Sequence, residues 1–224
     1  MTGSSSSAES SGCQNLDFDA LYRGKYPEEG IPWDAKAPKK AVVNWQIQGL
    51  VHGDVLDIGC GLGDNAIYLA QHGHAVTALD ISPTALITAE HRAMDAGVKV
   101  NFAVADATKL DGYTDTFDTV IDHSMFHCLT DDDKRSYASA LHRATREGAT
   151  LLLSCFSDAN PPDAKRRLPG VPERTLRKIL SGAGWDITLL EPSTWRHEED
   201  GAQIEMAFWH ARAQRRTRTG KLQG

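Results

Sequence analysis

The chain has 224 residues, 41% hydrophobic and 24% charged, a length and balance that suit one soluble domain with a sizeable core. Its formal net charge of −6 argues against a surface built on phosphate contacts, so no nucleic-acid partner is expected. The apolar runs are strand-length, too short for a membrane helix.

The first dozen residues are mostly Ser and Gly, and residues 1–14 read as a disordered tail. Asp17–Gly24 reads as a short amphipathic helix with Phe18, Leu21 and Tyr22 on one side. Pro27, Gly30, Pro32 and Pro38 then interrupt regular structure, and Ala41–Gly53 reads as a helix, which makes residues 15–52 an N-terminal helical segment. From there strands and helices alternate. Strands are expected at Asp54–Ile58, Ala75–Leu79, Val98–Val104, Thr116–Asp122 and Gly148–Phe156. Trp185–Leu190 and Ile204–Ala211 complete the strand set, close enough to pair as a hairpin through Glu198–Gly201. Helices are expected at Asp64–His72, Pro83–Ala96, Asp131–Arg146 and Pro172–Ser181. Ser82 is the expected N-cap of the second of these, with Pro83 at its first position and Gly97 ending it. The order predicts an α/β fold: a single doubly wound, mostly parallel seven-stranded sheet with one antiparallel strand, covering residues 53–211. Residues 212–224 hold Arg212, Arg215, Arg216, Arg218 and Lys221 without an acid and read as a solvated, disordered basic tail.

The cysteines Cys13, Cys60, Cys128 and Cys155 form no C-x-x-C pair, and the histidines are scattered, so neither a disulfide framework nor a metal site is indicated. The opening residues lack a secretory pattern, and a reducing cytoplasm is the simplest compartment.

The chemistry concentrates in Val55-Leu56-Asp57-Ile58-Gly59-Cys60-Gly61-Leu62-Gly63-Asp64, where an apolar strand runs into a glycine turn and a helix follows. Glycines let backbone approach a ligand, and an acid about twenty residues on, Asp80, suits the ribose hydroxyls of an adenosine. A dinucleotide site wants G-x-G-x-x-G and a helix N-terminus aimed at pyrophosphate. Here the spacing is G-x-G-x-G, and Asp57 and Asp64 flank it. Two carboxylates repel a pyrophosphate and suit a cation. S-adenosylmethionine, with its sulfonium and ammonium, fits that pattern, whereas a dehydrogenase cofactor does not.

The run VLDIGCGLGDNAIYLA resembles the first motif of class I S-adenosylmethionine-dependent methyltransferases. Asp80 matches their ribose acid, Phe102–Ala107 resembles the motif whose acid binds the adenine amino group, and Phe117–Asp122 resembles the strand whose end faces the transferred methyl. A narrower likeness rests on Ile31-Pro32-Trp33-Asp34, Met125-Phe126-His127 with Thr130–Asp133, and Ser154–Asp158. These resemble a bacterial subgroup, including mycobacterial and actinomycete enzymes, that methylates heteroatoms of small heterocycles, quinones or quinolones and is related to thiopurine methyltransferases. The resemblance implies a small-molecule acceptor, a role in detoxification, self-resistance or natural-product tailoring, and a monomer or homodimer. It also implies that the N-terminal segment folds across the cofactor as a lid.

On this reading the cofactor contacts are Trp33, Asp57, Gly59, Cys60, Gly61, Gly63, Asp80, Ile81, Asp106, Ala107 and His127. The acceptor contacts are Tyr22, Trp33, His123, Phe126, Phe156 and Trp195. His123 and Asp122 are the catalytic candidates: His123 is either a general base or a turn histidine, and Asp122 either positions the acceptor or simply ends the strand. A thiol acceptor is partly ionised already and needs no base, whereas a phenol benefits from one. Asp122-His123-Ser124-Met125 stands where amino-directed nucleic-acid methyltransferases carry Asp/Asn-Pro-Pro-Tyr/Phe, which disfavours that class. A protein that binds S-adenosylmethionine without turning it over, and a protein or nucleic-acid methyltransferase, remain the other readings.

Overall fold

The computed structural model describes residues 16–24, 31, 33–160, 170–199 and 202–217. The 1–14 tail, Cys13, Pro27, Gly30, Pro32 and the end of the basic tail from Arg218 lie outside the described residues.

Six α-helices and seven strands are described: α1 Phe18–Tyr22, α2 Lys40–Ile47, β1 Asp54–Ile58, α3 Asp64–Gln71, β2 Ala75–Asp80, α4 Pro83–Asp95 and β3 Asn101–Val104. Next come β4 Phe117–His123, a 3₁₀ turn at Phe126–Cys128, α5 Asp131–Ala144, β5 Thr145–Phe156, α6 Glu173–Gly182, β6 Trp185–Glu199 and β7 Ala202–Arg215. The strands form one sheet in the order β3-β2-β1-β4-β5-β7-β6. Every pairing from β3 to β5 is parallel, and β7 runs antiparallel to both neighbours, as the sequence order predicts. Among the described residues no helix is long and apolar enough to cross a membrane.

Two apolar clusters cover the sheet. One face packs Val42 and Trp45 of α2, Leu69 of α3 and Leu86 of α4 over Val55, Val76, Ile121 and Leu152. The other packs Tyr137 and Leu141 of α5 and Leu176 and Leu180 of α6 over Leu56, Val120, Leu153 and Ala211. Helix boundaries follow local chemistry. Ser82 caps α4 by accepting from the Ala85 amide, and Thr130 caps α5 by accepting from Asp133.

Several expected boundaries are corrected: β3 begins at Asn101 and not Val98, and β6 runs on to Glu199 and not only to Leu190. Helix α2 ends at Ile47, because Gly49 turns at φ +68° and Leu50 leads out toward β1. Strand β5 begins at Thr145, directly after α5, so the expected helix to Arg146 is shorter. Strand β7 continues to Arg215, so Arg212–Arg215 belong to the sheet and not to a solvated tail. Arg215 is buried and donates to the Asp115 carboxylate and the Thr145 carbonyl, which holds this cation inside the fold.

The order of the sheet reverses between β1 and β4, and ligands of doubly wound sheets bind outside the carboxyl ends of the strands at such a point. There Ile58 lies beside Asp122, so the glycine turn and the His123 loop emerge side by side.

Candidate active site

The glycine turn is held by its own backbone. The Gly59 and Cys60 amides both donate to the Leu79 carbonyl, and Gly63 donates to Cys60. The Gly61 amide donates to Asp80 Oδ2 at 2.7 Å, and Ser82 donates to Asp80 Oδ1 at 2.9 Å. Gly59, Gly61 and Gly63 all have φ between +53° and +82°, where side chains are strained. A Cβ on Gly59 would stand 2.7 Å from Met125 Cγ, and one on Gly61 would stand 2.8 Å from the Tyr22 hydroxyl. What these glycines provide is close approach, since their amides are already committed.

Asp57 replaces the pyrophosphate that a dinucleotide site would place at the next helix. The Ala66 amide in the first turn of α3, whose N-cap Gly63 has no side chain, faces this carboxylate and favours its charged form. Its second oxygen, Oδ2, is buried with no hydrogen-bond partner among the described residues. Burial, reinforced by the nearby Asp80 and Asp122 charges, pushes Asp57 up to about 7. Burial also raises Asp80, against its backbone hydrogen bonds.

Asp64 does not contribute the second free carboxylate expected of it. It pairs with Arg92 at 2.9 Å, and Arg92 forks onto Asp34 at 2.9 and 3.0 Å. This ion cluster ties the N-terminal segment to α3 and α4. A second tie comes from Asp19, which accepts from Ser82 Oγ at 2.7 Å and the Thr84 amide at 3.1 Å. Through them Tyr22 lies over the glycine turn. Its hydroxyl accepts from Trp33 Nε1 at 2.8 Å, and burial beside Asp80 raises its pKa. Tyr22 therefore sits with the glycine turn and not with the expected acceptor contacts. Trp33 is part-exposed and packs on Phe18 and Tyr22.

Beyond Asp80, Ile81 is exposed and lines a cavity of about 340 Å³ between α1 and the Cys128–Thr130 turn. Asp106 follows β3 and accepts from the Thr108 amide and hydroxyl and from Lys109. Burial acts to raise Asp106, but the Lys109 and Thr108 hydrogen bonds outweigh it and hold it low. Ala107, half-buried, follows it. Cys60 is buried, and burial together with Asp57 and Asp80 keeps its thiol protonated, which excludes a nucleophile.

Three expected contacts prove structural. Asp122 is fully buried, its Oδ1 accepting from the Met125 and Phe126 amides and its Oδ2 from the Tyr137 hydroxyl at 2.8 Å. Burial raises it to about 6, and with both oxygens committed below the loop it positions no acceptor. Phe126 is fully buried against Tyr137 in the core. His127 is buried on the β5 side, accepting from the Phe156 amide at 3.3 Å with its ring 4.3 Å from Phe156, so it does not reach the glycine turn.

His123 is placed differently. It is half-buried at the end of β4, followed by Ser124 at φ +74°, a strained conformation for a residue other than glycine. Its Nδ1 lies 3.1 Å from Ser124 Oγ, and burial, helped by the Lys39 ammonium, lowers it to about 3. The imidazole is thus neutral at ordinary pH. Its ring faces Phe208 at 6.4 Å, and Phe208 packs on Phe156 at 4.7 Å. Trp195 pairs with Met206 on the hairpin that carries β6 and β7 past the end of β5. Sequence reasoning missed Phe208, Met125 and the Arg92 cluster; only strand register and the tertiary fold bring them here.

A methyltransferase domain model matches residues 55–148. The 2-heptyl-1-hydroxyquinolin-4(1H)-one methyltransferase of Mycobacteroides abscessus is 37% identical over 191 residues, covering 83% of each chain. The chain belongs to the S-adenosylmethionine-dependent methyltransferases. A solved structure from work on conversion of a disulfide bond into a thioacetal group during echinomycin biosynthesis is similar to this methyltransferase. It is 36% identical, with a TM-score of 0.80 over 92% of this chain and 93% of the other. The fold is also that of a magnesium protoporphyrin IX methyltransferase from Synechocystis PCC 6803 with bound S-adenosylhomocysteine, at 23% identity and a TM-score of 0.59 over 78% and 80% of the two chains.

The residues present fit the cofactor. An orphaned, buried carboxylate oxygen at the glycine turn demands a donor or cation, which the ammonium of S-adenosylmethionine supplies. Asp80 keeps lone pairs beyond its two amide donors for ribose hydroxyls, and the exposed Ile81 offers an apolar face for a purine.

Proposed function

We propose that this methyltransferase transfers the methyl group to a sulfur, oxygen or ring nitrogen of a small, flat aromatic or heterocyclic molecule. The observation that carries this reading is the wall beside the glycine turn: a neutral imidazole, His123, next to the tilted, packed rings of Phe156 and Phe208. Such a wall suits an uncharged or singly ionised ring and offers little to a phosphate chain. The names of the relatives favour it too, one acting on a hydroxyquinolone and the other taken from work on a sulfur centre.

In this reading Asp57 Oδ2 holds the ammonium, Asp80 the ribose and Ile81, Asp106 and Ala107 the adenine. The N-terminal segment, through Tyr22 and Trp33, closes over them as a lid. When bound, the cofactor supplies an electrophilic methyl, to which an acceptor lone pair bonds while the carbon–sulfur pair stays on sulfur. The protein's part is to align the acceptor, exclude water and take its proton. His123 accepts a hydrogen bond from a hydroxyl acceptor and, since burial disfavours its imidazolium, relays that proton to solvent instead of keeping it; a thiolate acceptor has none to give. Lys39, whose charge is felt at His123, favours the ionised acceptor. Cys60 and Cys155 are buried thiols outside any disulfide among the described residues, which suits a reducing cytoplasm. Detoxification or natural-product tailoring is the role such an acceptor fits.

The test is transfer of labelled methyl from S-adenosylmethionine to a panel of aryl thiols, phenols, hydroxyquinolones and N-heterocycles. Transfer to at least one class is expected, with the methylated atom assigned by mass spectrometry. Tight cofactor binding with no transfer to any member would replace this reading with a binding protein.

A further inference from the structure

Strand register sets His123, Ser154, His210 and Glu191 in one lateral row across β4, β5, β7 and β6. Register partners share a face of the sheet, so all four project toward α2. The Ser154 hydroxyl is fully buried and has no hydrogen-bond partner among the described residues. An orphaned buried hydroxyl is costly, so its retention calls for a reason. It lies between two half-buried imidazoles. His210 stands edge-on to Trp45 at 6.0 Å, and burial lowers it, so like His123 it is neutral with one donor and one acceptor nitrogen. One row nearer the carboxyl edge, on the same face, Phe156 pairs with Phe208; a further step along the hairpin, Trp195 pairs with Met206.

The face therefore changes from polar to apolar in one direction. Its polar row has hydrogen-bonding groups on β4 and β7 with one strand between them, roughly 9–10 Å apart in backbone. That span admits one aromatic ring with polar atoms on opposite edges, each within hydrogen-bond reach of an imidazole. Nothing in the methyl-transfer step needs His210 or Ser154.

We propose that His210 reads a second heteroatom on the acceptor, opposite the atom presented at His123, and that the Ser154 hydroxyl, unpartnered without acceptor, takes up a bond to the His210 ring when the acceptor seats. Resting on the function proposed above, this names the substrate class: a flat ring with hydrogen-bonding atoms on two opposite edges, whose alkyl or aryl substituent runs over Phe156 and Phe208 toward Met206 and Trp195. His210 is a specificity-determining contact and Ser154 a positioning residue.

The experiment measures acceptor binding to protein saturated with S-adenosylhomocysteine, using 1-hydroxyquinolin-4(1H)-one as the two-edged probe and 1-naphthol as its one-edged match. His210→Phe, which keeps a ring against Trp45, is expected to weaken the two-edged probe by roughly 10- to 100-fold and 1-naphthol by less than about threefold. His210→Gln restores part of the difference, and Ser154→Ala lowers two-edged binding several-fold with the same selectivity. S-adenosylhomocysteine affinity, which reports folding, stays unchanged in all three. Equal weakening of both probes, or of neither, overturns the proposal. If the wild-type complex binds neither probe, this inference and the proposed function both fall. If it binds them with the expected selectivity yet transfers no methyl, the function falls and the recognition strip stands.

Discussion

The two halves of the site hold their polar groups in opposite ways. On the β1–β2 side, carboxylates face backbone amides: Asp80 those of Gly61 and Ser82, Asp57 that of Ala66. On the β4–β7 side there are neutral imidazoles, an orphaned hydroxyl and packed, tilted aromatic rings. The difference teaches a division of labour. Under the proposed function a cationic donor would bind where fixed negative charge costs no reorganisation, and a less polar acceptor where charge is scarce.

The sharpest way to break that division is at His123. His123→Ala is expected to slow a phenolic acceptor by about 100-fold or more and an aryl thiol far less, with cofactor affinity unchanged. Equal losses for both acceptors, in single-turnover rates, would demote His123 to a turn residue. On the donor side, Asp80→Ala should weaken S-adenosylhomocysteine by about 1.5–3 kcal/mol, roughly 10- to 150-fold, by calorimetry. An unchanged dissociation constant would remove Asp80 from the site.

Asp57 gives the division a pH signature. With its pKa raised to about 7, the empty site holds mostly the acid form at pH 6, whereas a bound ammonium favours the carboxylate. Cofactor affinity should thus be full above pH 7 and fall as pH drops through it, approaching tenfold per unit, with proton uptake by buffer on binding at pH 6. Stability of the empty protein runs the other way: the raised pKa contributes most below the ordinary carboxyl range near 3.9 and is lost as pH rises through about 7. Asp57→Asn should flatten both profiles. The smallest effect is expected at the lid. Arg92→Met frees Asp34 and Asp64, and should weaken the cofactor only roughly 3- to 10-fold while speeding hydrogen exchange at residues 16–24 and 33–39.

The donor half was legible because it is local: strand, glycine turn, helix and the acid of the next strand lie within one short stretch whose spacing encodes the geometry. Even there, Asp64 was misread, since Arg92 reaches it from a helix that spacing says nothing about. The acceptor half is assembled by register. Phe208 and His210 meet His123 only because β7 inserts antiparallel between β5 and β6. Asp122, Phe126 and His127 sit beside His123 in sequence, but strand alternation turns Asp122 to the opposite face and the turn after β4 folds Phe126 and His127 inward, so adjacency pointed the wrong way.

The central claim, that donor and acceptor chemistry reside in separate halves, is tested most directly by single-turnover methyl transfer to a phenolic acceptor in Asp80→Ala and His123→Ala across cofactor concentration. The account predicts that saturating cofactor restores the Asp80→Ala rate to near the wild-type value and leaves the His123→Ala rate about 100-fold low. Recovery of His123→Ala by cofactor, or an Asp80→Ala defect that saturation leaves untouched, would contradict it.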